Sequence, residues 1–244
     1  MYMEDYFDAV EGVFRAIRQT QRKSIEKAAR AVAASLAKKG VVAVMDTGHM
    51  LRHEAFMRAG GLLALTPFQY ELHLDNPISH RPDNGTAADA AGREARLIDL
   101  ALDSSKMTRG DVIILNSNSG RTANVIETAL QCRKRGIKTI GIASVAQMEG
   151  CEAAHPSGKK LLDVADIFVD NCGPFGDAAV DVKKNEKMCP MSGLAATYIL
   201  WAIQADAVDC LQEEGVNPTI YRSVHVGSHA FVEKQQAIYR KKGI

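Results

Sequence analysis

The sequence predicts an α/β fold on a mainly parallel sheet. Two patterns carry that prediction. Strand-length apolar runs alternate with helical stretches, and the runs are continuous, as in strands buried on both faces. Size permits it: 244 residues, 46% of them hydrophobic, supply one sizeable core. No fixed-period repeat, low-complexity tract or linker divides the chain, so a single domain over 1–244 is expected.

Residues 3–38 read as helix, with Ala9, Val10, Val13, Phe14 and Ile17, then Ile25, Ala28, Ala29, Val32, Ala33 and Leu36 at spacings of three and four. Gly40 stops it, closing an N-terminal helical segment over 1–39. "VVAVM", 41–45, is a buried strand that feeds "DTG" and a helix over 49–61. "LLALTPF" is a strand or an irregular connection. Residues 72–92 are turn-rich with two prolines, and a loop that long is often functional. "REARLIDLALDSS" is helical. Strand 111–115, helix 122–135 and strand 138–143 follow, then a helix-like "GKKLLDVA" and strand 166–170. "AAVDV" adds a further short strand, and 189–214 reads as one long apolar helix. The core thus spans 40–214, and a tail runs over 215–244.

Thirty Lys+Arg against 29 Asp+Glu leave a net charge of +1. That balance gives no general reason to bind nucleic acid or an anionic membrane, so any anion site must be local. Five widely spaced cysteines without a C-x-x-C pair suit neither a disulfide framework nor a zinc site. The acidic start lacks a leader's apolar run, and no stretch approaches about 18 apolar residues. A cytoplasmic protein is expected.

The local anion site is most legible in "ILNSNSGRTANVIETA". A loop over 116–122 follows a strand, and in an open parallel sheet ligands bind beyond the strands' carboxyl ends. Thr122 reads as N-cap of a helix that ends in Arg133, Lys134, Arg135 and Gly136, so the charges follow the helix dipole. The helix N-terminus offers amides to an anion. Ser117, Ser119 and Thr122 add hydroxyls, and Gly120 permits close backbone approach. The loop is neither a P-loop nor a dinucleotide fingerprint, since Gly-Lys-Ser/Thr and G-x-G-x-x-G are missing. A phosphate monoester suits it. The alternative is a capped turn whose hydroxyls satisfy only their own backbone.

"NSNSGRTANVIETALQCRKRGIKTIGIAS" resembles the signature of the SIS (sugar isomerase) domain. "GHMLRHEAFMRAGG", "HPSGKKLLDVADIFVDNCGPFGDAAVDV" and "PTIYRSVHV" resemble its UPF0309 subfamily. The resemblance implies a three-layer αβα sandwich around a five-stranded parallel sheet. It also implies a phosphosugar ligand and an oligomer, a homodimer or homotetramer, with sites near subunit interfaces; no cofactor or metal is expected. Ser117, Ser119 and Thr122 would hold the phosphate with the amides of Gly120 and Arg121. Ser192, in a Pro-x-Ser element, would point toward the ligand. Relatives commonly carry a Ser after the first strand. Here Gly48 and His49 stand in a shorter "DTGHML", and the tail reads "GSHAFVEK" in place of an acidic motif.

Aldose–ketose isomerisation needs a base, usually a carboxylate, and a proton donor. Glu54 is the expected base. His49 and His53, four residues apart, share a helix face and suit a polar role near substrate. Two histidines are too few for a metal site. His229 is a further candidate, from late in the chain. Glu127 reads as a charge complementing its helix, and Glu71, His73 and His80 as solvated loop residues. Three functions remain open: an isomerase, a lyase or etherase sharing the enolisation step, and a non-catalytic phosphosugar-binding module. Fold does not choose among them.

Overall fold

The computed structural model describes residues 1–48, 51–73, 80 and 87–244. The chain opens with α1 (Tyr2–Thr20) and α2 (Arg22–Ala37), followed by β1 (Val42–Asp46), α3 (Leu51–Glu54) and β2 (Leu65–Pro67). Next come α4 (Ala87–Ser104), β3 (Val112–Asn116), α5 (Ala123–Arg135), β4 (Lys138–Ala143), α6 (Val145–Glu149), α7 (Leu161–Val164) and β5 (Ile167–Asp170). A hairpin of β6 (Ala178–Val182) and β7 (Glu186–Pro190) precedes α8 (Ser192–Glu213) and α9 (His229–Lys242).

Five parallel strands form the main sheet in the order β2-β1-β3-β4-β5. Side chains alternate across it. Val42, Val44, Val112, Ile114, Ile140, Ile142, Ile167 and Val169 face one core with α2 and α8. Ala43, Met45, Ile113, Leu115 and Ala143 face a second core with Ile98 of α4 and Val125, Ile126 and Ala129 of α5. Both faces are therefore covered, as the continuous apolar strands require, and the three-layer α/β expectation holds. Pro67 sits at the end of edge strand β2, where a missing amide costs least. By length and composition α8 could cross a membrane. Here it packs against α2 and buries Ala195, Ala196, Ile199, Leu200, Ile203 and Ala207 in the first core.

Four expected elements are corrected. The 3–38 helix is broken at Gln21, whose side-chain oxygen accepts the Asp170 amide at the end of β5. The helix expected over 49–61 stops at Glu54, because the backbone of 60–63 is drawn onto 219–221. Gly60 donates to the Tyr221 carbonyl, Tyr221 to Gly61 and Leu63 to Thr219, and Leu62 bridges Ile220. "AAVDV" is a strand, but it pairs antiparallel with β7 outside the main sheet. Cys189 and Pro190 belong to that hairpin, so the late helix starts at Ser192. The tail carries α9, which the sequence reading left without an element.

Candidate functional site

The strand order reverses direction between β1 and β3, which is where an open α/β sheet opens a crevice at its carboxyl edge. Two loops meet there. Asp46 Oδ1 accepts from Asn116 Nδ2 at 2.7 Å and from the Gly48 amide at 2.9 Å. The Thr47 amide and hydroxyl each donate to the Asn116 carbonyl at 3.1 Å. These bonds lock the start of the 46–48 turn to the end of β3. On the other side, the Ser144 amide donates to the Asn118 carbonyl and Asn171 Nδ2 to Asn118 Oδ1, both at 2.9 Å. The loop after β3 is thus held from both neighbouring strands.

Within it, the Gly120 amide donates to the Ser117 carbonyl at 2.9 Å, making a tight turn. Gly120 has φ +53°, and a Cβ there would lie 2.5 Å from Met148 Sδ, so both backbone and space demand glycine. This corrects one expectation: the Gly120 amide is engaged inside the loop, so the amides left for an anion come later. Ser117 is buried, while Ser119 and Arg121 are half-buried. Thr122 takes the N-cap position of α5, but its side chain caps nothing. Its Oγ1 is buried and has no hydrogen-bond partner among the described residues.

That orphan matters, because a buried hydroxyl without a partner costs about 1–3 kcal/mol. It lies at the end of α5 where the dipole is positive. The Val125 amide is taken by Asn124 Oδ1 and the Ile126 amide by the Thr122 carbonyl. The Ala123 and Asn124 amides find no acceptor among the described residues. Basic residues Arg133, Lys134 and Arg135 close the far end before Gly136 at φ +71°. Among the described residues no carboxylate bonds these groups, so this helix start can take an anion.

Ser192 presents the opposite case, and the expectation that it faces the ligand is corrected. Its hydroxyl donates to Asp177 Oδ2 and its amide to Asp177 Oδ1, both at 2.7 Å, while the Met191 amide adds a bond at 3.1 Å. The protein's own carboxylate already occupies that helix N-terminus.

Glu54 ends α3, beside the crevice, with its side chain 27% exposed. Its Oε2 accepts from Arg58 Nε at 2.9 Å, and among the described residues Oε1 takes no bond. His53 is exposed. His229 is exposed at the start of α9, capped by Ser228, and no hydrogen bond or ion pair ties it to Glu54 among the described residues. His49 and most of the 72–92 loop lie outside the described residues. Glu71, His73 and His80 are exposed. A cavity of 480 Å³ lies elsewhere, between 218–222 and α9, and none of its lining residues belongs to the loops described above.

The sequence reading missed one cluster. His155 Nε2 lies 2.9 Å from Glu127 Oε2, and its Nδ1 lies 2.8 Å from Ser157 Oγ. Glu127 is therefore more than a charge on its helix. The 28-residue separation hid the pair, and only the spacing of His155 and Ser157 in "HPSG" was a local signal.

The SIS domain family model matches residues 5–144. A UPF0309 protein of Caldanaerobacter subterraneus is 31% identical over 93% of this chain and 90% of its own length. One of Thermoanaerobacter pseudethanolicus is 34% identical over 91% and 90%. Among solved structures, phosphoheptose isomerase GmhA from Neisseria gonorrhoeae aligns with TM-score 0.52 at 15% identity, covering 86% of this chain and 97% of that one. A phosphoheptose isomerase from Francisella tularensis aligns with TM-score 0.52 at 14% identity, covering 86% and 96%. At such identities these two speak for the fold.

Proposed function

The chain belongs to the SIS domain family and to its UPF0309 members, and from that premise we propose that it is an aldose–ketose isomerase of a phosphosugar. The observation that carries the reading is the buried Thr122 Oγ1, without a partner among the described residues, at the N-terminus of α5. A phosphate oxygen there gives the hydroxyl an acceptor and meets the Arg121, Thr122, Ala123 and Asn124 amides, with Ser117 and Ser119 beside them.

The sugar then extends across the crevice toward the 46–48 turn and α3. Glu54 removes the proton on the carbon next to the carbonyl, giving an enediol, and returns it to the neighbouring carbon. Arg58 holds Glu54 in place through its bond to Oε2. Gly48 and His53 line the sugar's path, and His53 or His229 relays the hydroxyl protons. The protein works as a single domain in the cytoplasm, in a homodimer or homotetramer.

Turnover in D2O tests the reading. A panel of aldose and ketose phosphates is incubated with the protein and followed by mass spectrometry. The expected product is the isomer carrying solvent deuterium at the transferred carbon, and Glu54→Gln should slow it about 10²–10⁴-fold. Release of a leaving group without isomer would move the assignment to the lyase. A full rate in Glu54→Gln would remove Glu54 as base.

A further inference from the structure

The isomerase reading leaves the Glu127–His155–Ser157 cluster unused. Its place in the chain says what it can do. Residues 154–161 attach to the phosphate-binding loop through the loop's carbonyls: the Ala154 amide donates to the Arg121 carbonyl at 3.3 Å, and the Leu161 amide to the Gly120 carbonyl at 2.7 Å. A trans peptide is planar, and its C=O and N–H point in opposite directions. Holding the Gly120 carbonyl toward Leu161 therefore turns the Arg121 amide the other way. Holding the Arg121 carbonyl toward Ala154 does the same for the Thr122 amide. The two carbonyl bonds on one side fix two donors on the other.

His155 anchors this segment to α5. The Ser157 amide donates to His155 Nδ1 at 3.1 Å, so Nε2 carries the hydrogen donated to Glu127 Oε2. Gln131 Nε2 donates to Glu127 Oε1 at 2.7 Å and holds the carboxylate in turn. The His155 and Glu127 side chains are only 12% and 14% exposed. Hydrogen bonds to charged groups in such surroundings are strong, and losing one partner leaves the other stranded.

We infer that His155 is a positioning residue for anion binding: braced by Glu127 and Ser157, it fixes residues 154–161, which aim the Arg121 and Thr122 amides at the phosphate. It touches neither substrate nor reacting atoms. The inference rests on the phosphate reading of the 117–122 loop.

Its test measures the dissociation constant for inorganic phosphate by calorimetry, beside the melting temperature of the unliganded protein. His155→Ala should weaken phosphate binding about 10-fold or more, the loss of at least one well-aimed bond to a charged group. Glu127→Ala should do the same from the other side of the pair. Glu127→Gln, which still offers an oxygen to the imidazole, should recover most of the affinity. A merely structural role would lower the melting temperature and leave phosphate affinity of the folded protein unchanged, and that result overturns the inference. If both alanine variants fail to fold, the pair supports the whole fold and the inference also falls. Thr122→Val separates the two levels. Wild type that does not bind phosphate overturns the loop reading itself. Binding that is sensitive to Thr122→Val but indifferent to His155→Ala overturns the role of His155 alone.

Discussion

Two helices, α5 and α8, begin with a small hydroxyl residue at or next to the N-cap, Thr122 and Ser192, and both follow a short turn. Their N-termini carry the same partial charge, yet they end in different states. At α8 the Asp177 carboxylate collects the Met191 and Ser192 amides and the Ser192 hydroxyl. At α5 no carboxylate arrives among the described residues, and the buried Thr122 hydroxyl has no partner among them. A Ser or Thr at a helix start therefore does not by itself mark a ligand site. What marks it is whether the protein has already supplied the anion.

The largest expected effect concerns what keeps α5 seated so that its N-terminus can be presented. Cys132, on the buried face of α5, has its thiol pushed up from 9.0 to about 12, mainly by burial, with Asp166 adding to the shift and Arg135 opposing it. A raised folded value means the contribution is intact below about pH 9 and is lost as pH climbs toward 12, because only the unfolded chain ionises freely. Three pK units correspond to about 4 kcal/mol. Denaturant melts between pH 8 and 11 should show wild type losing stability faster than Cys132→Ala. Parallel slopes would sink the assignment.

Next comes the entry to each helix. Gly120→Ala must hold φ +53° and push its Cβ into Met148, and should cost about 2–4 kcal/mol by thermal melting. Cys189, which precedes the α8 N-cap by two residues as Gly120 precedes that of α5, holds φ +66° with a side chain. A Gly120→Ala variant as stable as wild type would mean the loop has room it does not show.

Removing the built-in anion should cost less. Asp177→Ala strands the donors at the start of α8, at about 1–3 kcal/mol, and should leave phosphate binding at α5 intact. Thr122→Val should not destabilise at all: it removes a buried hydroxyl that bonds nothing among the described residues, and stability should hold or rise by up to about 1–3 kcal/mol. If Thr122→Val destabilised as much as Asp177→Ala, the two N-termini would not differ in the way described.

How much of this was legible follows from where each signal lies. The β3–loop–α5 unit is local: an apolar run, small polar residues and a dipole-ordered helix are contiguous, so sequence located them within a residue. The break at Gln21 is not local, because Ile17 and Ile25 keep helical spacing across it while the reason, the Asp170 amide, is 149 residues away. The early end at Glu54 depends on pairing of 60–63 with 219–221, and a helical pattern cannot announce a distant competitor for its backbone. Asp177 and Ser192 are 15 residues apart with a hairpin between them, so the occupied N-terminus looked as available as the open one. The SIS resemblance supplied the phosphate loop, but its Ser192 expectation carried over a residue whose bonds here are already made.

The most direct measurement of the central claim is thermal stabilisation by a phosphosugar in wild type, Thr122→Val and Asp177→Ala. At 100 times its dissociation constant a bound ligand adds about 2.7 kcal/mol to wild-type stability. That gain should survive in Asp177→Ala, whatever its lower starting melting temperature, and should largely vanish in Thr122→Val. A phosphosugar that stabilises Thr122→Val as well as wild type, or whose effect depends on Asp177 instead, would contradict the claim that the anion belongs at α5.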